Sequence, residues 1–169
     1  LLSRGVDKIY PSKEALEKVL KSGKKIRLYT GIDPTGKDIH IGHTAWMWKL
    51  RAFQDAGHEI IVLIGDFTGM IGDPSGKSDA RKVLSKEVVQ ENAKTYKEQI
   101  GKIIHFEGPN AAQIKFNSEW HSKMSLLEMA RLMHHLTIAQ VIERDMFQKR
   151  LKEGKDLFEK ISALNIPRL

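Results

Sequence analysis

The feature that most constrains this chain is an unbroken run of β-branched and leucine side chains, Ile60–Ile64, bounded by Glu59 and Gly65. A run without alternation is typical of a strand that is covered on both faces, as the strands of parallel sheets are. It is also the longest apolar run in the sequence, whereas a membrane-spanning helix needs roughly 18 apolar residues. The run therefore predicts an α/β fold around a parallel sheet and excludes a transmembrane protein.

Patterns before this run complete a β-α-β unit. Residues Ile26–Thr30 alternate apolar and polar side chains and end at Gly31 and Asp33-Pro34, which predicts a strand and then a sharp loop. Apolar side chains then recur at helical spacing until Gly57, at Trp46, Met47, Leu50 and Phe53. A strand, a helix and a buried strand in this order form a β-α-β unit.

The remaining segments predict three helices and one strand. Ser12 caps a helix that closes at Gly23. Ser85 opens one long helix that continues through Ile103 and ends before Gly108-Pro109. Residues Gln113–Asn117 alternate as a short strand, and the sequence is helical again from Ser125 to Leu136, with a continuation towards Arg150 left open.

The net charge of +7 is distributed unevenly along the chain. Residues 1–30 contain eight Lys and Arg against three acids, residues 31–80 contain four against seven, and residues 81–169 contain sixteen against eleven. An acidic middle between basic flanks fits a site for a cationic small molecule beside a surface that contacts RNA. A solvated, lysine-rich surface is the alternative interpretation.

The chain contains no cysteine, which excludes a disulfide scaffold, a thiolate metal site and a cysteine nucleophile. It begins at Leu1 and lacks the pattern of a secretory signal peptide. We therefore expect a cytoplasmic protein whose first residue is a trimmed boundary.

Two predicted loops follow the two strands of the β-α-β unit, and ligands of open α/β sheets bind at the carboxyl ends of the strands. After the first loop, His40 and His43 lie where the next helix opens. A helix N-terminus and two imidazoles together offer donors to a phosphate, and Gly42 leaves room for a flat base. For the two histidines alone, ordinary solvated surface is the competing interpretation.

The spacing of three stretches forms a specific combination: Tyr29-Thr-Gly-Ile-Asp-Pro-Thr35, His40-Ile-Gly-His43 and Thr68-Gly-Met-Ile-Gly-Asp-Pro-Ser-Gly-Lys77. Together they resemble the catalytic domain of bacterial-type tyrosyl-tRNA synthetases, a family of class I aminoacyl-tRNA synthetases. The resemblance continues through Asn92–Gln99, Phe116–Trp120 and Ala139–Arg150 and fades near Lys155. It implies a Rossmann-like parallel sheet of the class I synthetase type (HUP-like), incomplete here, with a helical connecting segment.

The resemblance also implies an activity and its residues. The family activates tyrosine with ATP to tyrosyl-adenylate and then transfers the tyrosyl group to tRNA. The positions that match tyrosine-binding residues are Tyr29 for the phenol, Asp73 for the ammonium group, and Thr68. The positions that match ATP-binding residues are Gly31, Asp33, Thr35, His40, Gly42 and His43. The positions that match catalytic residues are Thr35, His40, His43, Lys77 and Arg81, the last two on a loop that closes on pyrophosphate.

Plainer interpretations of these residues stay open. Asp73 before Pro74 also fits the start of a turn, Tyr29 fits an ordinary core position, and Lys77 and Arg81 fit solvated loop charges. The segment Gly72–Ser78 is not a phosphate-binding P-loop, because only three residues separate its glycines.

Two further candidate motifs carry no chemistry. Lys123-Met124-Ser125 resembles the start of the family's second signature, but Ser125 and Glu128 have the spacing of a capping box. The histidines outside the tetrapeptide have no metal-ligand spacing with carboxylates, so we expect no metal site.

The resemblance divides the chain into three parts. Residues 1–104 match the first half of the nucleotide-binding catalytic domain, residues 105–154 match a connecting segment with a dimer contact, and residues 155–169 are unassigned. We expect a second catalytic half outside this sequence. The helices over 125–150, including Phe147, carry enough apolar surface for either a twofold interface or packing within the chain.

The implied partners are L-tyrosine, ATP accompanied by Mg²⁺, tRNA(Tyr) and a second copy of the protein, with no tightly bound cofactor and no membrane. Two hypotheses from other classes remain at this stage. One is a non-catalytic half-synthetase that binds nucleotide or RNA without forming adenylate. The other is a basic α/β interaction module without a ligand.

Overall fold

The computed structural model describes residues 1–71, 84–143 and 145–154. In chain order its strands are β1 (Arg27–Ile32), β2 (Glu59–Ile64) and β3 (Gln113–Phe116). Its α-helices are α1 (Lys13–Lys21), α2 (Ile41–Asp55), α3 (Lys86–Ala93), α4 (Tyr96–Gly101), α5 (Ser118–His121), α6 (Leu126–His134), α7 (Ile138–Ile142) and α8 (Asp145–Lys152). A short 3-10 helix, Thr68–Met70, follows β2.

The three strands form one parallel sheet in the order β1-β2-β3. Ile32 pairs with Ile64, and Ile64 pairs with Phe116, so the last residues of all three strands lie side by side. The predicted α/β fold with a parallel sheet is confirmed. The segments that follow the strands therefore start from the same edge of the sheet.

The predicted buried strand is the centre of this sheet. Ile60–Ile64 are all buried, and Val62 is 0% exposed. Three of these strand residues, Ile60, Val62 and Ile64, share an apolar cluster with side chains of two helices. The helix residues are Met47, Leu50 and Phe53 of α2 and Ile100 of α4, and Ile104, just after α4, belongs to the same cluster. The β-α-β unit is therefore confirmed, with β1 extending two residues further than its pattern indicated, through Gly31 to Ile32.

Local capping signals place two helix starts correctly. The Ser12 hydroxyl accepts a hydrogen bond from the Ala15 N–H at 3.2 Å. At α6, Ser125 Oγ accepts from the Glu128 N–H at 3.2 Å, and the Glu128 carboxylate accepts from the Ser125 N–H at 2.9 Å. The predicted capping box is confirmed, so Lys123-Met124-Ser125 leads into a helix.

The prediction of one long helix from Ser85 through Ile103 is wrong. The helix breaks after Ala93, and α4 starts at Tyr96. At the break, the Thr95 hydroxyl donates to the Lys37 carbonyl at 3.1 Å, and Gln99 Nε2 donates to the same carbonyl at 2.8 Å. Hydrogen bonds to the loop before α2 thus fix Thr95 and Gln99 at the break, where helical periodicity alone predicts a continuous helix.

The continuation towards Arg150 consists of separate short helices. Thr137 interrupts the pattern, because its hydroxyl accepts the N–H of Gln140 at 3.2 Å and so caps α7. The apolar side of α6 stays open: none of its residues is buried, and Leu126 is 87% exposed. Phe147, by contrast, is 4% exposed within the single chain.

A buried imidazole, that of His121, lies on α5. His121 is 4% exposed, stacks on Phe67 with ring centroids 5.2 Å apart, and contacts Trp120. Among the described residues, neither ring nitrogen of His121 nor the indole nitrogen of Trp120 has a hydrogen-bond partner. Burial lowers the pKa of His121 below its ordinary value of 6.5.

We expect His121→Leu to raise the free energy of unfolding by about 1 kcal/mol, because it removes a buried polar ring that forms no hydrogen bond with any described residue. The unfolded chain binds the His121 proton first, so the wild type loses stability as pH falls below 6.5, and the variant should lose less. Urea unfolding at several pH values measures both effects. The exposed His135→Leu is the control, and an equal pH dependence of wild type and His121→Leu would contradict the interpretation.

Candidate active site

Asp33, directly after β1, reaches across the end of β2. Its Oδ1 accepts a hydrogen bond from the Thr68 hydroxyl at 2.7 Å. The contact depends on Gly65, since a Cβ at that position would lie 1.8 Å from Asp33 Oδ1 and 2.5 Å from Thr68 Oγ1. Glycine is required here because any side chain would occupy the place of the carboxylate.

Asn117, directly after β3, joins the same group. Its Nδ2 donates to Thr68 Oγ1 at 2.9 Å, and its Oδ1 accepts from the Phe67 N–H at 2.8 Å. Both Asn117 and Thr68 are 0% exposed. No role was predicted for Asn117, although its place at the end of the predicted strand Gln113–Asn117 was a signal; the observed strand ends one residue earlier, at Phe116. Thr68 is held by protein groups, and its predicted contact with tyrosine stays a prediction.

The two histidines of the tetrapeptide form the start of α2. His40 Nδ1 accepts from the Gly42 N–H at 3.1 Å, and His43 Nδ1 accepts from the His40 N–H at 3.3 Å. Their ring centroids lie 3.9 Å apart. The space beside Gly42 holds the His40 ring, because a Cβ there would lie 2.9 Å from its Cε1 and Nδ1.

This cap fixes where the histidines carry their protons. A neutral imidazole that accepts at Nδ1 is protonated at Nε2, so each ring keeps an N–H donor for a ligand. Burial, and then the proximity of His40, lower the pKa of His43 below 6.5. His43 is therefore neutral at pH 7. The free amides of the helix start add a partial positive charge beside these donors.

Helices α3 and α4 hold the loop between β1 and α2. Asn92 Nδ2 donates to the Pro34 carbonyl at 3.0 Å, and the Tyr96 hydroxyl donates to the Gly36 carbonyl at 2.7 Å. Gln99 Oε1 accepts from the Ile39 N–H at 2.8 Å. Within this loop Thr35 is exposed and Pro34 is buried. The loop therefore has a fixed shape that the sequence pattern did not reveal.

Tyr29 and Gly31 lie on the exposed face of β1. Side chains alternate along this strand, with Leu28 and Ile32 in the apolar cluster and Tyr29 46% exposed. Tyr29 is thus outside the core, which removes its plainer interpretation. Tyr29 lies on the strand that leads directly into the loop containing Asp33 and Thr35.

The other predicted site residues fall outside the part of the chain that the structure describes. They are Asp73, Lys77 and Arg81. Within residues 1–71, 84–143 and 145–154, no three His, Asp or Glu side chains are grouped to hold a metal ion. None of the helices in that described part has the length and apolarity that a bilayer span requires.

Comparison with known proteins identifies the family. The profile of a family described as "tRNA synthetases class I (W and Y)" matches residues 21–166. The chain belongs to this family of class I tRNA synthetases. The resemblance inferred from the three motifs is confirmed.

Curated relatives with the name tyrosine–tRNA ligase match almost the whole chain. The protein of Carboxydothermus hydrogenoformans is 48% identical over 160 residues, which are 93% of this chain and 38% of the relative. That of Mannheimia succiniciproducens is 49% identical over 156 residues, 92% of this chain and 38% of the relative. The chain thus spans 38% of the length of these relatives.

Solved structures show the same fold. A C-terminally truncated mitochondrial tyrosyl-tRNA synthetase of Coccidioides posadasii superposes with a TM-score of 0.64 at 25% identity, over 88% of this chain and 42% of that one. The corresponding enzyme of Aspergillus nidulans gives a TM-score of 0.69 at 23% identity, over 87% of this chain and 44% of that one. The fold of this chain is therefore that of the matching parts of these larger synthetases.

We expect His40→Ala to raise the pKa of His43 towards 6.5, because the variant removes part of the protein that covers His43 and the neighbouring imidazole that disfavours a second proton beside it. Titration of the His43 ring signals by NMR measures the change. His105→Ala, at the opposite end of the sheet, is the control and should leave the His43 pKa unaltered. A pKa of His43 that stays the same or falls in His40→Ala would contradict the coupling.

Proposed function

We propose that the protein to which this chain belongs is a tyrosine–tRNA ligase that forms tyrosyl-adenylate from L-tyrosine and ATP and then aminoacylates tRNA(Tyr). The observation that carries the proposal is the histidine cap of α2, beside the Asp33 loop at the carboxyl edge of the sheet. Curated relatives named tyrosine–tRNA ligase, at 48% and 49% identity, favour tyrosine within a family that also includes tryptophan enzymes.

The proposed chemistry needs positioned donors and no nucleophile from the protein. A carboxylate oxygen of tyrosine attacks the α-phosphorus of ATP, the new P–O bond forms, and the bond to the pyrophosphate oxygen breaks. Charge grows on the phosphoryl oxygens during this step. The Nε2–H groups of His40 and His43, with the amides of the helix start, are suited to bind oxygens that gain charge.

The neutral state of His43 supports this assignment. An imidazole that is already uncharged keeps its Nδ1 bond to the His40 N–H, so its ring orientation is fixed before ATP arrives. Donors that need no reorientation act mainly on the transition state. We assign four further residues to ATP: Gly31 near the end of β1, Asp33 and Thr35 in the loop that follows, and Gly42 in the first turn of α2.

Recognition of tyrosine is assigned to the exposed face of β1 and the segment after β2. Tyr29 offers a phenol to the substrate hydroxyl, and Asp73 offers a carboxylate to its ammonium group. The resemblance also implies a contact of Thr68 with tyrosine, although Thr68 is 0% exposed and is bonded to Asp33 and Asn117. Lys77 and Arg81 are the proposed partners of the leaving pyrophosphate, and Mg²⁺ accompanies ATP as part of the substrate.

We assign residues 1–104 to the first half of the nucleotide-binding domain and residues 105–154 to the connecting segment. The open apolar side of α6 supports a contact with another copy or with further chain. We propose a homodimer in the cytoplasm. Residues 155–169 lie outside the described structure and carry no assignment.

Tyrosine-dependent exchange of pyrophosphate into ATP tests the proposal directly. The full-length protein should catalyse exchange with tyrosine and far less with tryptophan or phenylalanine. Nucleotide binding without exchange would favour a non-catalytic half-synthetase instead. If the protein binds neither ATP nor tyrosine, the result would favour the third hypothesis, a basic α/β interaction module without a ligand.

We expect His40→Ala and His43→Ala each to lower the rate of adenylate formation by roughly 10²–10³, because each removes a donor to growing charge. The affinity for tyrosine should change far less. Pre-steady-state measurement of adenylate formation in the full-length protein separates the two. A loss of tyrosine affinity with an unchanged rate would contradict the assignment.

Tyr29→Phe should reduce the discrimination between tyrosine and phenylalanine, because a polar group that pairs with the substrate hydroxyl rejects the analogue without it. The ratio of kcat/KM for the two amino acids in pyrophosphate exchange measures this. Leu28→Ile, on the opposite face of the same strand, is a matched control. An unchanged ratio with a large loss of ATP affinity would place the amino-acid pocket elsewhere.

A further inference from the structure

The hydrogen bonds between Asn117, Thr68 and Asp33 run in one direction. The Phe67 N–H donates to Asn117 Oδ1 at 2.8 Å, which fixes the amide so that its Nδ2 faces Thr68. Nδ2 donates to Thr68 Oγ1 at 2.9 Å. A backbone N–H cannot act as an acceptor, so the direction of the whole series follows from its first bond.

The single hydroxyl proton of Thr68 is thereby directed to Asp33. Since Nδ2 of Asn117 occupies a lone pair of Oγ1, the hydroxyl has to donate to an acceptor elsewhere. Asp33 Oδ1 lies at 2.7 Å and the Gly65 carbonyl at 3.4 Å, and the shorter bond to an acidic side chain is the stronger one.

Backbone hydrogen bonds fix Asn117, the first side chain of this series of hydrogen bonds. The Asn117 N–H donates to the Ile64 carbonyl at 3.0 Å, and the Asn117 carbonyl accepts from the His121 N–H at 3.1 Å. Asn117 is therefore bonded both to the last residue of β2 and to the last residue of α5. Thr68 and Asn117 are 0% exposed, which favours a supporting role over direct contact with a ligand.

We propose that Asn117 and Thr68 are positioning residues that orient the Asp33 carboxylate for the ATP side of the reaction. This inference rests on the proposed function and deepens it. Gly65 makes room for the carboxylate, and the directed hydroxyl holds it in one orientation. Direct contact of Thr68 with tyrosine is the competing hypothesis, and the two predict different kinetic defects.

Two near-isosteric variants remove the directed bond in different ways. Thr68→Val deletes the hydroxyl. Asn117→Asp replaces the amide donor with an acceptor, so the Thr68 hydroxyl turns towards residue 117 and away from Asp33. Thr68→Ser restores the hydroxyl and is the conservative rescue. Ser118→Ala is the matched control. It removes a comparable hydroxyl-to-carboxylate bond, from Ser118 Oγ to Asp66 just after β2, and leaves the bonds of Thr68 in place.

In pyrophosphate exchange by the full-length protein, Thr68→Val and Asn117→Asp should each lower kcat/KM for ATP by roughly tenfold or more, as expected for a lost bond to an acidic group. The KM for tyrosine should change by less than about twofold, as a remote positioning role requires. Thr68→Ser should recover most of the loss. A defect mainly in the KM for tyrosine would overturn the proposal in favour of direct contact.

A second measurement is independent of activity. In urea unfolding, Asp33→Ala and Thr68→Val should be non-additive, with the double variant losing less stability than the two single losses together, because each removes the bond from the Thr68 hydroxyl to Asp33. Asp33→Ala with Ser118→Ala should be additive. Additive effects of the first pair would overturn the proposal. Absence of pyrophosphate exchange in the wild type would instead refute the proposed function, and the double-mutant cycle of unfolding would still test the bond between Thr68 and Asp33.

Discussion

The parallel pairing of β2 with β1 and β3 is the interaction on which the rest of the structure depends. Because Ile32, Ile64 and Phe116 share one register, the residues after each strand emerge at one edge. β2 occupies the centre because five consecutive buried apolar residues fit a position covered on every side. Apolar burial thus decides where the polar groups of the candidate site meet.

At that edge the fold joins three distant segments with few polar contacts. Asp33, Thr68 and Asn117 come from the ends of β1, β2 and β3, and two hydrogen bonds connect them. Gly65 is essential to this arrangement because a methyl group would displace the carboxylate. The same edge presents the histidine cap of α2, so rigid strands support a site made from loop and helix-start residues.

Features that depend on neighbouring residues could be predicted from the sequence, and features that depend on distant contacts could not. The buried strand and the capping box of Ser125 follow from local spacing and were confirmed. The break at Thr95 depends on the Lys37 carbonyl, 58 positions away, so periodicity predicted a continuous helix. The histidines were found through a motif, whereas Asn117 acts through contacts to Phe67 and Thr68 that no local pattern indicates.

The central claim is that the start of α2 and the loop after β1 bind the adenylate. A crystal structure of the full-length protein with a stable tyrosyl-adenylate analogue tests it most directly. The account predicts the phosphate-mimicking group within hydrogen-bond distance of His40 and His43 Nε2, the adenosine along residues 31–35, and the phenol against Tyr29. An analogue bound away from this edge of the sheet, or reversed so that its phenol lies at the histidines, would contradict the account.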